Sequence, residues 1–82
     1  MPKKDPETLA RETFGQRLRE LRYERNMSQA ALARCVDVHV VTISRLETGR
    51  YAPDWWTVVR LAEALGASLG DFGPEKKTEK GE

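Results

Sequence analysis

The fold of this chain is decided by residues 28–47, SQAALARCVDVHVVTISRLE. Apolar side chains recur at helical spacing on both sides of Asp37, which predicts two short helices, residues 28–35 and 39–47, joined by a tight turn. Ser28 is a favoured N-cap residue for the first helix. Asp37 tolerates the left-handed backbone of such a turn better than most non-glycine residues. The stretch therefore predicts a helical pair that packs against the rest of the chain.

The inner face of this predicted pair is small and apolar. Ala33 falls where the two helices would cross, and its small side chain lets them approach. The residues predicted to face inward are Leu32, Ala33, Val36, Ile43 and Leu46. The outward side of the second helix is left free to face a partner.

Further helices are predicted on both sides of the pair. Asp5-Pro6 is a helix-start signal, which predicts a helix over about residues 7–25, or a weak first turn before a firm start near residue 12. Asp54 is predicted to be the N-cap of a helix over residues 55–65. A short final turn is predicted to end at Phe72. No strand pattern is present, so the fold class is all-α.

The composition suits one small globular domain. The chain has 82 residues, of which 39% are hydrophobic and 33% charged, a balance typical of folded domains. No apolar run approaches the ~20 residues of a membrane span and no signal-peptide pattern opens the chain. The single cysteine, Cys35, cannot form an internal disulfide, which agrees with a reducing compartment. We therefore expect a cytoplasmic protein that does not contact a membrane.

Positive charge is concentrated around the quoted stretch. Residues 14–60 contain eight arginines, no lysine and five acidic residues, whereas residues 61–82 contain three lysines and five acidic residues. Arginine makes planar, forked contacts to phosphates and bases, so this distribution is compatible with nucleic-acid binding. The excess is modest, and ordinary solvated helix faces would explain it equally well.

These segments together resemble a known family, the lambda-repressor/Cro-type helix-turn-helix domain, also called the xenobiotic-response-element family. The resemblance covers about residues 14–72. It rests on four pieces in this order and spacing: LRELRYERNMSQAALA, TISRLETGR, the Pro53-Asp54 restart, and RLAEALGASLGDF. The resemblance implies a compact five-helix domain whose third helix contacts DNA. We expect this domain at residues 12–73, after an N-terminal arm or helix extension (1–11) and before a disordered charged tail (74–82).

The resemblance also implies which residues meet DNA. Gln29 would bond a phosphate and brace the third helix, called the recognition helix, with Ser28 beside it. Arg45 is the best candidate for a bidentate contact with guanine. The loop of residues 48–50 would meet phosphate through its amides and its charge. The full implied set is Ser28, Gln29, His39, Val40, Val41, Thr42, Ser44, Arg45, Thr48 and Arg50.

Two residues depart from the family pattern. Asp37 stands where the turn usually carries glycine. Valines at positions 40 and 41 replace polar residues, and valine can contact a thymine methyl group but cannot hydrogen-bond a base edge. Either at least one valine contacts DNA, or one is partly packed inward. Direct recognition of base edges would then depend on His39, Thr42 and Arg45. DNA shape would contribute in addition.

Several other side chains are expected to have structural roles within the domain. Arg22 and Glu47 match a pair that in this family often joins the first helix to the end of the third. Cys35 is expected to fill space in the core. Trp55 matches a buried position, whereas the neighbouring Trp56 points about 100° away on a helix and should be partly exposed. An exposed tryptophan is typical of interfaces.

The resemblance implies a homodimer, with candidate contacts at Trp56, Leu65, Leu69 and Phe72.

The sequence therefore favours a DNA-binding transcriptional regulator, a repressor or autoregulator that binds a near-palindromic operator in double-stranded DNA as a dimer. The alternative is a protein-interaction module or antitoxin-type partner that retains the fold. We expect no enzyme, because no nucleophile, base and acid set is present. We also expect no metal, cofactor or small-molecule ligand, since His39 is the only histidine and no ligand cluster surrounds it.

Overall fold

The chain folds into four α-helices followed by one turn of 3-10 helix. The structure, a computed structural model, describes residues 3–74. The elements are α1 (Pro6–Glu24), α2 (Gln29–Val36), α3 (Val40–Glu47), α4 (Trp55–Leu65) and the 3-10 turn (Leu69–Phe72). The all-α class is confirmed, and no strand occurs between residues 3 and 74. The predicted fifth helix is only a 3-10 turn, because four residues leave no room for a run of α-helical hydrogen bonds.

The N-caps lie at the residues that the sequence predicts, and the helix ends fall within one residue of the predicted ends. The N-cap side-chain oxygens accept hydrogen bonds from the backbone N–H three residues on, at 2.7 Å for Asp5, 3.0 Å for Ser28 and 2.7 Å for Asp54. Each bond satisfies an N–H group that has no partner within its helix. Asn26 and Asp37 adopt positive φ angles of 56° and 58° after α1 and α2, which allows the chain to reverse.

One hydrophobic core lies between the helices. α1 and α2 both pack against α3, and α4 packs against α2. The phenyl rings of Phe14 and Phe72 stack with centroids 5.1 Å apart, which attaches the 3-10 turn to α1. All five residues predicted to face inward from α2 and α3 are buried. The core residues are Leu18, Leu21, Leu32, Ala33, Val36, Ile43, Leu46, Leu61, Ala62, Leu65 and Phe72.

α1 is a single helix that crosses the end of α3 at Gly15. It runs without interruption from Pro6, so a separate start near residue 12 is not observed. A Cβ atom at Gly15 would lie 2.4 Å from the carbonyl oxygen of Leu46 and 2.6 Å from that of Glu47. Only glycine allows the two backbones to approach this closely. Gly15 is therefore required for the crossing, a role that the sequence analysis did not assign to it.

Two arginines of α1 hold the C-terminal part of the chain. Arg25 Nε donates to the carbonyl oxygen of Leu65 at 2.6 Å, which places a positive charge at the negative end of α4. Arg17 Nε donates to the carbonyl oxygen of Asp71 at 2.9 Å. None of the helices between residues 3 and 74 is long and apolar enough to cross a membrane.

Two burial predictions are wrong. Trp55 is 66% exposed, because it is the first residue of α4 and the contacts of this helix with the core begin further along, at Val58. Cys35 is exposed, because the next residue, Val36, takes the inward position on α2. Successive helical residues point about 100° apart, so both cannot face the core.

Candidate nucleic-acid interface

The turn between α2 and α3 sets the start of the recognition helix. Asp37 takes the left-handed conformation, and the N–H of Val38 donates back to the carbonyl oxygen of Ala33 at 3.0 Å. His39 then serves as the N-cap of α3, and its Nδ1 accepts a hydrogen bond from Val41 N at 3.2 Å. Because Nδ1 accepts, the neutral imidazole carries its proton on Nε2. His39 therefore precedes α3 and keeps an Nε2–H donor for an outside acceptor.

One face of α3 is buried and the other is open. Ile43 and Leu46 are fully buried, whereas Val40 and Val41 are 38% and 41% exposed. Neither valine belongs to the buried core. Arg45 is exposed, and Thr42 and Ser44 are half-buried beside it. Of the α3 side chains predicted to contact DNA, Val40, Val41 and Arg45 are therefore exposed, and Thr42 and Ser44 are partly exposed.

A buried ion pair ties α1 to the end of α3. Arg22 Nε lies 2.6 Å from Glu47 Oε2, and Nη2 lies 2.9 Å from Oε1, so the contact is bidentate. The two side chains are only 8% and 4% exposed. The Glu47 carboxylate raises the pKa of Arg22, against the opposing effect of burial. Arg22 also donates to the carbonyl oxygen of Met27 at 2.9 Å, which fixes the segment that leads into α2.

The N-terminus of α2 joins the same network. Gln29 Nε2 donates to Glu47 Oε1 at 3.1 Å, so Gln29 braces the end of α3 directly. The second N–H of its amide has no acceptor within residues 3–74. Ser28 Oγ accepts from Ala31 N, which leaves its O–H available as a donor. Both residues thus retain donors suited to phosphate oxygens.

The loop after α3 differs from the prediction in one respect. The backbone N–H groups of residues 48, 49 and 50 donate to the carbonyl oxygens of Ser44, Leu46 and Arg45, at 3.1, 3.2 and 3.0 Å. These amides close the end of α3 and are not free for phosphate, because the chain needs them to terminate the helix. The Thr48 hydroxyl is also bonded to carbonyl oxygens of α3. Arg50 is exposed and keeps its charge for an outside partner.

The predicted dimer contacts are only partly at the surface. Leu65 and Phe72 are 1% and 5% exposed because both fill the core, so they have almost no surface to offer a second copy. Trp56 and Leu69 are 65% and 42% exposed, and Trp55 adds a second exposed indole. The candidate interface is therefore reduced to Trp56 and Leu69, with Trp55 as an additional member.

Sequence reasoning missed an arginine–tyrosine cluster on α1. Arg19 Nε donates to the Tyr23 hydroxyl at 3.2 Å, and the Arg22 guanidinium lies 4.8 Å from the centre of the Tyr23 ring. The hydrogen bond from Arg19 lowers the pKa of Tyr23. The only sequence signal is the spacing of four residues, which places Arg19 and Tyr23 on one helix face. In residues 3–74, no group of His, Cys, Asp or Glu side chains is arranged to hold a metal ion.

Comparison with known proteins agrees with this geometry. The family model that describes a helix-turn-helix domain matches residues 13–72, and several solved structures of transcription regulators share the fold. The protein therefore belongs to the class of helix-turn-helix DNA-binding transcription regulators. This chain belongs to the helix-turn-helix domain family. A search of the curated proteins gave no match.

Three solved structures illustrate the likeness. The restriction-modification controller protein C.AhdI from Aeromonas hydrophila is 31% identical, with a TM-score of 0.73 over 76% of this chain and 94% of that one. The clp gene regulator ClgR from Corynebacterium glutamicum is 34% identical, with a TM-score of 0.77 over 82% and 71%. An HTH_3 family transcriptional regulator from Vibrio cholerae is 26% identical, with a TM-score of 0.76 over 80% and 37%.

Proposed function

We propose that this protein is a sequence-specific transcriptional regulator, a repressor or autoregulator, that binds a near-palindromic operator as a homodimer. The observation that carries the proposal is the exposed face of α3, held in place by the buried Arg22–Glu47 pair and by Gln29. A rigidly supported helix face is what direct contact with base edges requires, because small displacements break hydrogen-bond geometry. As a DNA-binding regulator the protein would act in the cytoplasm.

The chemistry of the α3 face predicts the kind of sequence that is bound. Arg45 has the fork geometry for O6 and N7 of a guanine, and the Nε2–H of His39 can donate to a purine acceptor. Val40 and Val41 can only make apolar contacts, and the thymine methyl is the apolar group that the major groove offers. We therefore expect half-sites that combine a guanine with neighbouring thymines.

Phosphate contacts would flank this face. Ser28 and Gln29 supply hydrogen-bond donors at the start of α2, and Arg50 supplies a charge after α3. The N–H groups of Tyr51 and Ala52 have no acceptor in the described part of the chain, so these amides replace those of residues 48–50 as candidate phosphate donors. Such contacts would fix the position of α3 in the groove without selecting bases.

A dimer would present two recognition helices to the same face of the duplex. Two exposed indoles and Leu69 provide apolar surface of the kind that interfaces bury. In a two-fold dimer the half-site centres would lie about 34 Å, one helical turn, apart. Operator symmetry would then mirror the symmetry of the protein.

Selection from a pool of random DNA duplexes tests the proposal. The wild-type protein should enrich inverted repeats whose half-site centres are about ten base pairs apart, with guanine and thymine in each half-site. Arg34 is also exposed but belongs to α2 and is not among the predicted DNA contacts, so Arg34→Ala is a charge-matched control that should enrich the same site. A pool that stays random after several rounds would contradict sequence-specific binding.

A second candidate function is an interaction module or antitoxin-type partner that retains the fold. The two adjacent exposed tryptophans favour it, since exposed aromatic side chains are typical protein-binding anchors. Under this alternative the duplex selection yields no sequence, and Trp55→Ala with Trp56→Ala abolishes binding to the partner protein. If both the wild type and the Trp55→Ala, Trp56→Ala double variant enrich a defined operator, this result would argue against the alternative.

A further inference from the structure

The first turns of α1 make contacts that the helix-turn-helix module itself does not supply. Residues 5–12 precede the region that the family model matches, which begins at residue 13. They nevertheless extend α1 without interruption and reach the loop that follows α3. Arg11 Nε donates to the carbonyl oxygen of Gly49 at 3.2 Å, across 38 positions of the chain.

Arg11 is itself held in a defined position. Its guanidinium donates to Thr8 Oγ1 at 3.2 Å and lies 3.1 Å from Glu7 Oε2. The side chain is only 23% exposed. Three acceptors therefore fix one arginine, and this arginine bonds the carbonyl oxygen of the loop residue directly before Arg50. The contact also places a positive charge at the negative end of α3, where it is favourable.

Glu12 also packs against the loop, at Gly49. Gly49 has a φ of 75°, and a Cβ there would lie 2.9 Å from Glu12 Cγ and 3.2 Å from Glu12 Cα. The loop thus lies directly on the backbone of α1. Glu12 is in turn paired with Lys4, whose Nζ lies 2.7 Å from Glu12 Oε1. The start of α1 packs against Gly49, and glycine is needed at this position both for its φ and for this close approach.

We propose that the N-terminal extension of α1 supports the DNA-binding surface from behind, and that Arg11 is a positioning residue for the phosphate-contacting loop. This inference rests on the proposed function. By ordering residues 48–50 before binding, the extension lowers the entropy that is lost when Arg50 engages a phosphate. Arg11 acts through the loop and makes no DNA contact of its own.

The test compares the wild type with Arg11→Ala in two measurements. In the free protein, backbone NMR order parameters of residues 48–50 should fall in Arg11→Ala. On the operator found by selection, affinity should fall roughly two- to tenfold, the effect of losing one preordered element. The loss should be equal on unrelated sequences, and the slope of log affinity against log salt should not change. Arg17→Ala removes the same charge from α1 without touching the loop, and it should leave loop order unchanged.

A double-mutant cycle separates positioning from simple destabilisation. If Arg11 acts by positioning Arg50, its substitution should have almost no effect on affinity in an Arg50→Ala background. Additive effects would overturn the proposal. So would unchanged loop order in Arg11→Ala, or a salt slope that falls by about 0.9, which would indicate a direct phosphate contact. If the wild type binds no duplex, the proposed function fails, while loop order still decides whether Arg11 positions the loop.

Discussion

Gly15 of α1 lies against the backbone of Leu46 at the end of α3, so closely that a Cβ would be 2.4 Å from the Leu46 carbonyl oxygen. This contact brings α1 and α3 together at one point. From there, Arg22 reaches Glu47 on one side and Arg11 reaches Gly49 on the other. The crossing at Gly15 therefore determines how the end of the recognition helix and the following loop are held.

Gly15→Ala should destabilise the protein. Alanine is a better helix former than glycine by about 0.5–1 kcal/mol, but overpacking against a fixed backbone costs about 1–3 kcal/mol or more, so the clash should dominate. Urea unfolding measures the change. Gly70→Ala is the control, because the nearest atom to its Cβ would be Ser68 Oγ at 3.9 Å. Equal free energies of unfolding for Gly15→Ala and Gly70→Ala would contradict the close contact between α1 and α3 at Gly15.

Loss of either partner of the buried ion pair should be costly. Arg22→Met leaves the Glu47 carboxylate buried with only Gln29 to bond it, and breaking a buried pair typically costs about 3–5 kcal/mol. The double variant Arg22→Met with Glu47→Leu removes both charges and should unfold at higher urea concentration than the single variant. Lys4→Ala breaks an exposed pair, which is worth about 0–1 kcal/mol. If Arg22→Met were as stable as Lys4→Ala, the Arg22–Glu47 pair would not fix the end of α3.

Stability should fall in acid, partly through the N-cap of α4. The hydrogen bond from the Thr57 backbone N–H lowers the pKa of Asp54 below its ordinary value of 3.8. A lowered folded-state pKa means that the stabilisation is complete above pH 3.8 and is lost as the pH falls through the folded-state value. Asp54→Asn keeps a capping oxygen without titrating. The difference in urea midpoint between wild type and Asp54→Asn should therefore depend on pH only below about 4; a constant difference would contradict the assignment.

Trp56→Glu should convert the proposed dimer into a monomer, because a carboxylate would be buried without a partner in an apolar interface. Sedimentation equilibrium measures the mass directly. Tyr23→Glu alters another exposed aromatic residue, outside the candidate interface, and should leave the mass unchanged. If Trp56→Glu keeps the dimer mass, Trp56 does not belong to the interface.

Local patterns were enough to predict most of the fold. Capping at Asp5, Ser28 and Asp54 and the left-handed residue Asp37 depend only on chemistry within a few residues, and all of them occur where expected. The inward residues of α2 and α3 also follow from helical spacing alone. The family resemblance added the pairing of Arg22 with Glu47, which no local pattern contains.

The features that were mispredicted depend on where elements meet. Trp55 has an apolar side chain at a suitable helical position, but it lies where α4 extends past the core. Leu65 and Phe72 were expected at a surface, and the 3-10 turn instead folds Phe72 onto Phe14. The role of Gly15 and the bond from Arg11 to Gly49 arise only once α1 crosses α3. Contacts of this kind join distant parts of the chain, and sequence spacing carries no direct signal of them.

The central claim is that the exposed face of α3 selects a DNA sequence, and the most direct measurement is the ratio of affinities for the selected operator and a scrambled duplex. Fluorescence anisotropy at fixed salt should give a ratio of at least about 10³ for the wild type. Arg45→Ala should lose about 1–3 kcal/mol on the operator alone, which lowers the ratio. Arg50→Ala should weaken both duplexes alike and leave the ratio unchanged. A wild-type ratio near one, or a ratio that Arg45→Ala does not change, would contradict the account.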